Sequence, residues 1–300
     1  DPSMHSSQNE QDSRFYGKFA LVPTFEPSTQ QETYEMVQAA FDLSEKYRIP
    51  VLMRLTTRMA HSRAVVETSE LRDENACSAP AEKRQWVLMP GNSRVRYKKL
   101  LEDYAALEQE AAASRFNRYT EGTDKSMGII ACGIAYNYLM ENYPDGCPYP
   151  VLKIAQYPLP GQIVRRMAAE CRQLMVIEEG QPVVEEMIRG ILPTPVEVRG
   201  RLSGDLPRTG ELTPDSVRAA LGMTPLAAHA PSGIVVPRPP ALCQGCGHRD
   251  MYTALTEVMR EEFPEGRVFS DIGCYTLGWL APFHAIDACV DMGASITMAK

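Results

Sequence analysis

The sequence predicts an α/β protein built on parallel sheets, because short apolar runs alternate with amphipathic stretches along the chain. The runs at 128–132, 151–154 and 174–177 each precede a stretch of helical pattern, at 134–142, 162–170 and 182–189. Runs of four or five residues in which only Lys153 is charged have the length of buried strands. Their regular alternation with helices is the spacing of βαβ units, which favours a parallel sheet covered by helices on both faces.

An αβ unit is also predicted nearer the start of the chain. Ser28 and Gln31 have the spacing of a capping box, which predicts that a helix begins there. Apolar residues then recur at helical spacing, at Met36, Ala40, Leu43 and Tyr47. Pro50 ends the helix, and 51–55 is a buried strand candidate. Arg54, Arg58, His61 and Arg63 follow that strand, and the carboxyl ends of strands in open α/β sheets are where ligands bind.

Composition excludes several classes of protein. The 300 residues allow two or three domains, and 44% hydrophobic with 23% charged residues is ordinary for a globular protein. A net charge of −7 argues against nucleic acid as the main partner, because phosphate binding requires a basic face. The chain contains no run of eighteen apolar residues, so no membrane-spanning helix is predicted. Eight cysteines at this length indicate a reducing compartment, so a cytoplasmic protein is expected.

Three cysteines give the strongest chemical signal in the chain. Cys243 and Cys246 form a Cys-x-x-Cys pair in glycine-rich surroundings, and Cys274 follows in Asp-Ile-Gly-Cys-Tyr. Thiolates at such spacing can hold a metal ion or an iron–sulfur cluster, although the pair also occurs in redox sites and zinc sites. A zinc site needs a fourth ligand, for which His248 is the candidate. The remaining alternative is that these thiols pack as small apolar groups.

The complete sequence segments around these cysteines resemble those of a known protein family. The stretches 239–249 and 270–275 are similar to the start of the thiamine-diphosphate-binding domain of 2-oxoacid:ferredoxin oxidoreductases. The stretches 271–278 and 289–296 resemble the alpha subunit of the indolepyruvate:ferredoxin oxidoreductases in particular. The segments 1–12, 54–63 and 177–180 also fit that subunit, so the resemblance covers nearly the whole chain.

The resemblance implies a domain layout and a truncated chain. It makes 1–70 the last part of a pyrimidine-binding domain, 126–200 a middle α/β domain, and 241–300 the first part of the thiamine-diphosphate-binding domain. Residues 71–125, with a surface helix, and 201–240 are expected to be linkers. The family's glutamate that activates the aminopyrimidine would precede Asp1. Its magnesium-holding Gly-Asp motif would follow Lys300, so the magnesium site is expected outside this chain.

The resemblance also implies a reaction and its cofactors. The reaction is oxidative decarboxylation of an arylpyruvate, indolepyruvate first among them, to an aryl-acetyl-CoA with electrons passed to ferredoxin. The implied cofactors are thiamine diphosphate, magnesium and a 4Fe–4S cluster, and the implied partners are a beta subunit, ferredoxin, coenzyme A and the arylpyruvate. The isolated fragment is expected to be inactive. A pyruvate or branched-chain 2-oxoacid oxidoreductase and a non-catalytic interaction module remain the alternatives.

Specific residues are assigned by the same resemblance. Cys243, Cys246 and Cys274 are the implied cluster ligands, and His248, Arg58 and His61 the implied catalytic residues. His5, Ser6, Ser7 and Gln8 resemble residues on the family's substrate side. The middle domain is expected to hold no titratable cluster, with Glu178, Glu179 and Gly180 forming a strand end and turn. The cofactor would contact Gly245, Cys246, Gly247, His248, Asp271, Ile272, Gly273, Cys274, Gly293, Ala294 and Ser295.

Overall fold

In the computed structural model, the chain divides into two compact units, Asp1–Ala227 and Ala228–Lys300. The structure describes residues 2–5, 9–74, 76, 87, 89–192 and 196–300. Ser6, Ser7 and Gln8 therefore lie outside the described residues. No helix in the described ranges is both long and apolar enough to cross a membrane.

The α/β class predicted from the sequence is confirmed. The strands of the described residues are β1 Thr24–Phe25, β2 Leu52–Met53, β3 Arg118–Thr120, β4 Gly128–Cys132, β5 Val151–Ile154, β6 Gln156–Tyr157, β7 Gln173–Ile177, β8 Glu197–Arg199, β9 Phe269–Ser270 and β10 Ala288–Cys289. The α-helices are α1 Arg14–Ala20, α2 Gln30–Tyr47, α3 Thr57–His61, α4 Pro90–Ala113, α5 Ala135–Met140, α6 Gly161–Glu170, α7 Val183–Ile191, α8 Pro214–Ala220, α9 Gly247–Glu261 and α10 Ser295–Ala299.

The first unit is built on a five-stranded sheet of order β3-β5-β4-β7-β8, parallel except for β3. Side chains alternate across a strand, so β4 sends Ile129 and Ala131 into one core and Ile130 and Cys132 into the other. Residues of α5 and α8 complete the first core, and those of α6 and α7 complete the second. All five residues of β4 are buried, because both faces of the sheet are covered.

This sheet and its packing reach beyond the range predicted for the middle domain. The antiparallel strand β3 lies before residue 126 and pairs with β5. Leu206, Leu212 and Val217, from the stretch expected to be a linker, are buried in the core of the first unit. Residues 228–241 are exposed throughout. Contacts made by 201–220 therefore belong to the first unit.

A second, smaller sheet of order β2-β1-β6 joins the start of the chain to the middle region. β1 pairs in parallel with β2 and antiparallel with β6. Met36, Ala40 and Leu43 of α2 are buried, as the sequence predicted. The predicted cap of this helix is one residue early, because the Thr29 side chain accepts the Glu32 amide and the Ser28 hydroxyl binds the Glu32 carboxylate.

The second unit has a modest core beneath the helix α9. Its short strands β9 and β10 pair in parallel. The buried apolar residues are Leu242, Tyr252, Ala285 and Ile286, and the hydroxyl of Tyr252 donates to the Tyr275 carbonyl at 2.7 Å. This small core holds the loops that carry the cysteines and Asp271.

Candidate functional site

The turn that leads into α9 brings Cys246 and His248 together. The Cys246 amide donates to the Cys243 carbonyl at 3.2 Å, and Gly245 in this turn has a φ of 74°, which favours glycine. The Cys246 Sγ then lies 3.5 Å from the Nδ1 of His248. The His248 ring meets the Tyr275 ring edge-on, with centroids 5.8 Å apart. A thiol and an imidazole therefore share the start of a fifteen-residue helix.

The loop after β9 brings together another part of the predicted cofactor set. The Asp271 carboxylate accepts the Ser295 amide at 2.7 Å. The amides of Ser295, Gly293 and Ala294 lower the pKa of Asp271, because they favour its charged form. The Cys289 thiol donates to the Asp271 carbonyl at 3.2 Å. Ile272 is half-buried, while Gly273 and Cys274 are exposed where a 3-10 helix begins.

The donor set of this loop suits an anion. Backbone amides that converge on a carboxylate can also bind phosphate oxygens, so their chemistry fits a diphosphate. In this structure the negative charge comes from the chain itself, because Asp271 accepts the Ser295 amide. A diphosphate at Gly293–Ser295 would therefore share these amides with Asp271.

The predicted cluster ligands are not arranged as a metal site. Cys243 and Cys274 are exposed and Cys246 is half-buried beside His248. Within the described ranges, no group of three or more His, Cys, Asp or Glu side chains is placed to hold a metal ion. The 4Fe–4S cluster that the resemblance implies is therefore not shown by these residues and stays a prediction.

The cationic residues after β2 separate into different environments in the first unit. Arg54 is 5% exposed and donates to the Glu26 carboxylate and, at 2.8 Å, to the Glu179 carbonyl. Arg58 is half-buried and donates to Glu211 at 3.0 Å, over the ring of Tyr138. His61 and Arg63 are exposed. Arg54 is therefore occupied by internal acceptors, whereas Arg58 keeps one side toward solvent.

His5 joins Arg58 on a shared carboxylate. The His5 Nε2 lies 3.2 Å from the Glu211 Oε2 that also accepts from Arg58. Two residues associated with the substrate side by resemblance are thus brought together, although they are far apart in sequence. Glu211 was not singled out from the sequence, because it follows a glycine in an otherwise polar stretch.

A buried ionic cluster in the first unit was missed by the sequence analysis. The Arg14 guanidinium donates to Asp12 at 2.5 Å and to Glu178 at 2.7 Å, while Arg54 pairs with Glu26. All five side chains are 6% exposed or less. The expectation that residues 126–200 hold no titratable cluster is therefore wrong, since the Glu178 carboxylate after β7 belongs to one.

Opposing effects act on the pKa values in this ionic cluster. Burial alone raises the pKa of Asp12, but the Arg14 guanidinium and Arg54 hold it well below its usual range. Burial prevails at Glu178 and raises its pKa despite the contact with Arg14. Burial likewise raises the pKa of Glu179, which lacks a cation on its carboxylate. The Oε1 of Glu179 accepts the Leu212 amide at 3.0 Å, and its Oε2 has no hydrogen-bond partner among the described residues.

The turn after β7 is present as predicted, and Gly180 explains its form. Gly180 has a φ of 94°, and a Cβ there would lie 2.5 Å from the Asp12 Oδ2 and 2.9 Å from an Arg54 nitrogen. Only glycine allows the backbone to approach the ionic cluster this closely. Two glutamates directly after the apolar run 174–177 were the available signal, because buried carboxylates require cations nearby.

Comparison with known proteins gives matches over the full chain. The indolepyruvate oxidoreductase subunit IorA of Methanothermobacter marburgensis is 41% identical over 314 residues, covering 100% of this chain and 51% of the relative. The subunits of the same name from Archaeoglobus fulgidus and Pyrococcus abyssi are 37% and 36% identical, again over 100% of this chain. They are covered over 50% and 49% of their own length. The chain thus spans about half the length of the curated relatives it matches.

Two solved structures are similar at a lower level. The 2-oxoglutarate:ferredoxin oxidoreductase from Magnetococcus marinus is 14% identical with a TM-score of 0.34, over 45% of this chain and 24% of its own. A split-gene transketolase is 16% identical with a TM-score of 0.36, over 67% and 56%. At these identities and TM-scores, neither structure assigns a function to the chain. No family model matches the chain. The identity to the curated relatives extends over the whole sequence, and the chain belongs to the family of the indolepyruvate oxidoreductase IorA subunits.

Proposed function

We propose that this chain is part of a thiamine-diphosphate-dependent subunit that oxidatively decarboxylates arylpyruvates, with indolepyruvate as the preferred substrate. The observation that carries the proposal is the full-length identity to subunits named for indolepyruvate oxidoreductase. In the balanced reaction, the arylpyruvate and coenzyme A give the aryl-acetyl-CoA, carbon dioxide, a proton and two electrons. Two ferredoxin molecules each accept one of those electrons.

The roles proposed for the second unit concern cofactor binding. Thiamine diphosphate, when bound, would supply a carbanion that attacks the 2-oxo carbon and a cationic thiazolium ring that takes up the electron pair left by carbon dioxide. Asp271 fixes the loop that carries the amides of Gly293–Ser295, through its hydrogen bond to Ser295. His248, held between the Cys246 thiol and the Tyr275 ring, presents an imidazole that can donate or accept a hydrogen bond toward a bound cofactor or substrate.

The role proposed for the first unit is to bind the substrate carboxylate. Arg58 has a planar guanidinium suited to bidentate contact with a carboxylate, and its side chain is 39% exposed. Glu211 holds it from one side, together with His5. His61, exposed at the end of α3, is proposed to assist in the same region.

The experiment uses the full-length subunit, co-purified anaerobically with its second subunit and supplied with thiamine diphosphate, magnesium, coenzyme A and ferredoxin. We expect ferredoxin reduction that requires coenzyme A and is faster with indolepyruvate than with pyruvate or a branched-chain 2-oxoacid. A preference for pyruvate would assign a different 2-oxoacid, and no reduction with any of the three would contradict the reaction class.

The chain taken alone should bind the cofactor weakly. Because Asp271 already occupies the Ser295 amide, we expect a dissociation constant no better than about millimolar, or about −4 kcal/mol. Titration calorimetry with thiamine diphosphate and magnesium measures it. A micromolar constant would show that these 300 residues form a complete cofactor site.

Iron and sulfide analysis tests the three cysteines independently. The resemblance implies that Cys246 holds a cluster, so Cys246→Ala in the anaerobically purified full-length subunit should lower its iron and sulfide content. An unchanged iron content would contradict the cluster. Loss of about four iron and four sulfide per subunit in that variant would establish the cluster implied by the resemblance.

A further inference from the structure

The first half of α4, residues 90–101, contains no buried residue and is mostly exposed. The buried residues of this 24-residue helix are Asp103, Leu107 and Ala111, all in its second half. Before them, Val95, Tyr97 and Leu101 have exposed fractions of 69%, 56% and 46%. Helix stability in proteins comes mainly from packing of an apolar face. An exposed half-helix with large apolar side chains therefore indicates a surface that another molecule covers.

The same half-helix is strongly basic. Residues 90–101 contain Arg94, Arg96, Lys98 and Lys99 and no acidic residue, in a chain whose net charge is −7. Lys99 pairs with Asp103, whereas Arg94, Arg96 and Lys98 form no ion pair with any described residue. Three of the four cations therefore have no ion-pair partner in the described part of the chain, and a role in binding would provide one.

Two cations and two apolar groups share one face of this half-helix. Positions 94, 97, 98 and 101 follow the spacing i, i+3, i+4 and i+7, which places their side chains on one side of a helix. Arg94, Tyr97, Lys98 and Leu101 are here called the basic stripe. Beside it lies a cleft of about 760 Å³ between α4 and the end of α2, which is lined by Arg48, Arg96 and Lys99 together with Asp103 and with Lys46, the last of which pairs with Glu110.

The composition of the basic stripe favours a protein partner. Tyrosine and arginine are enriched at the centres of protein interfaces, and helices dock through residues at this spacing into apolar grooves. Charge complementarity requires that the facing surface be acidic. We propose that the basic stripe docks the second subunit of the oxidoreductase through an acidic groove with an apolar floor. The inference rests on the proposed function, since it assumes that the relatives' designation as a subunit applies to this chain.

Charge reversal on the basic stripe provides the test. The full-length subunit carrying Arg94→Glu and Lys98→Glu is titrated with the purified second subunit at low and at high salt. We expect affinity to fall at least tenfold at low salt, because two attractive charges become repulsive. The salt dependence should also decrease, since fewer opposite charges meet in the complex. Tyr97→Ala should weaken binding without altering the salt dependence, because it removes apolar contact only.

A matched control separates the basic stripe from net charge. Lys18→Glu with Arg165→Glu changes the charge by the same amount at exposed positions outside α4. This control should bind as the unmodified subunit does. Equal losses in both variants, or full affinity in the basic-stripe variant, would overturn the proposal. The proposal would also be overturned if the basic-stripe variant still bound the second subunit but no longer bound a 20-nucleotide RNA. The surface would then be a nucleic-acid site.

The proposed function and this inference fail differently. If the subunits associate through the basic stripe but no 2-oxoacid supports ferredoxin reduction, the docking surface stands and the reaction is wrong. If reduction occurs while the basic-stripe variant keeps its full affinity, the reaction stands and the docking surface is wrong.

Discussion

The two units use polar side chains in opposite ways. In the first unit, Arg14, Asp12 and Glu178 are almost completely buried and bind one another. In the second unit, Cys246, His248 and Asp271 lie at the ends of elements and remain partly exposed. This difference shows that a dense cluster of charged side chains is not by itself a ligand-binding site. Where internal partners occupy every charge the cluster is structural, and partly exposed groups at strand ends and helix starts are the ones available to ligands.

The largest expected effect comes from removing the central cation of the buried ionic cluster. Arg14→Met removes the cation that binds the buried carboxylates of Asp12 and Glu178, and leaves Asp12 only the Arg54 guanidinium at 3.4 Å. Breaking a buried ion pair from one side costs about 3–5 kcal/mol in the free energy of unfolding. Urea unfolding of the chain measures the change.

Arg166→Met is the matched control for that variant. Arg166 also binds two carboxylates, Glu121 and Glu170, but its side chain is 54% exposed. Exposed pairs contribute little, so we expect almost no change. Equal losses at both arginines would contradict the distinction between buried and exposed pairs.

The pH dependence of stability should have opposite signs at two carboxyls of the first unit. The pKa of Asp12 is lowered in the folded state, so its contribution is present above its unfolded pKa of about 3.9 and is lost as pH falls below it. The pKa of Glu179 is raised, so the folded state keeps the proton of this carboxyl up to a higher pH than the unfolded state does. Stability therefore falls as pH rises above about 4.3, the unfolded pKa of a glutamate.

Two substitutions measure the pH dependence of stability at Asp12 and at Glu179 separately. Asp12→Asn should reduce the loss of stability on acidification from pH 5 to 3. Glu179→Gln should gain stability relative to the unmodified chain as pH rises from 4 to 7, and turnover of the full-length enzyme should stay within a few-fold. Urea midpoints across pH give both results. The same sign for both variants would show that Arg14 and Arg54 do not set the pKa of Asp12.

A smaller effect is expected in the core of the second unit. Tyr252→Phe removes the hydroxyl that donates to the Tyr275 carbonyl at 2.7 Å. The net contribution of one such hydrogen bond is about 0.5–1.5 kcal/mol. Thermal unfolding followed by near-ultraviolet circular dichroism reports it. A loss as large as that of Arg14→Met would mean that the two units do not differ as described.

The smallest change is expected at Asp271. Asp271→Ala removes the acceptor of the Ser295 amide, so hydrogen exchange at that amide should accelerate while global stability stays nearly constant. Asp271→Asn keeps an oxygen acceptor and should retain most of the protection. Unchanged exchange in the alanine variant would remove Asp271 from the proposed cofactor loop.

Local patterns in the sequence predicted local structure well. The strands 128–132 and 151–154 match β4 and β5 residue for residue, because short, mainly apolar runs bounded by turns leave few alternatives. The cap of α2 lies one residue from its predicted position, since Ser28, Thr29, Gln31 and Glu32 offer two equivalent capping pairs. Element type was therefore predictable, and the choice between adjacent caps was not.

Contacts between distant segments were the part that the sequence did not reveal. Arg14 and Glu178 are 164 residues apart, and no local pattern in either segment indicates the other. The same holds for His5 and Arg58, which meet only through Glu211. The family resemblance identified the segments that contain Cys243, Cys246 and Cys274, but not how these cysteines are arranged in space. Sequence spacing alone does not fix the direction in which the thiols point.

The extended segment of β5 and β6 has a consequence for folding. Residues 151–157 run from the main sheet directly into the small sheet, where β6 pairs with β1. Tyr157 also donates to Glu26, 131 residues away in sequence. Closing so long a loop carries an entropic cost that must be met before this pairing gives any gain. The early strands should therefore acquire protection late in refolding, after the main sheet, and a nascent chain must reach residue 157 before they can complete their sheet.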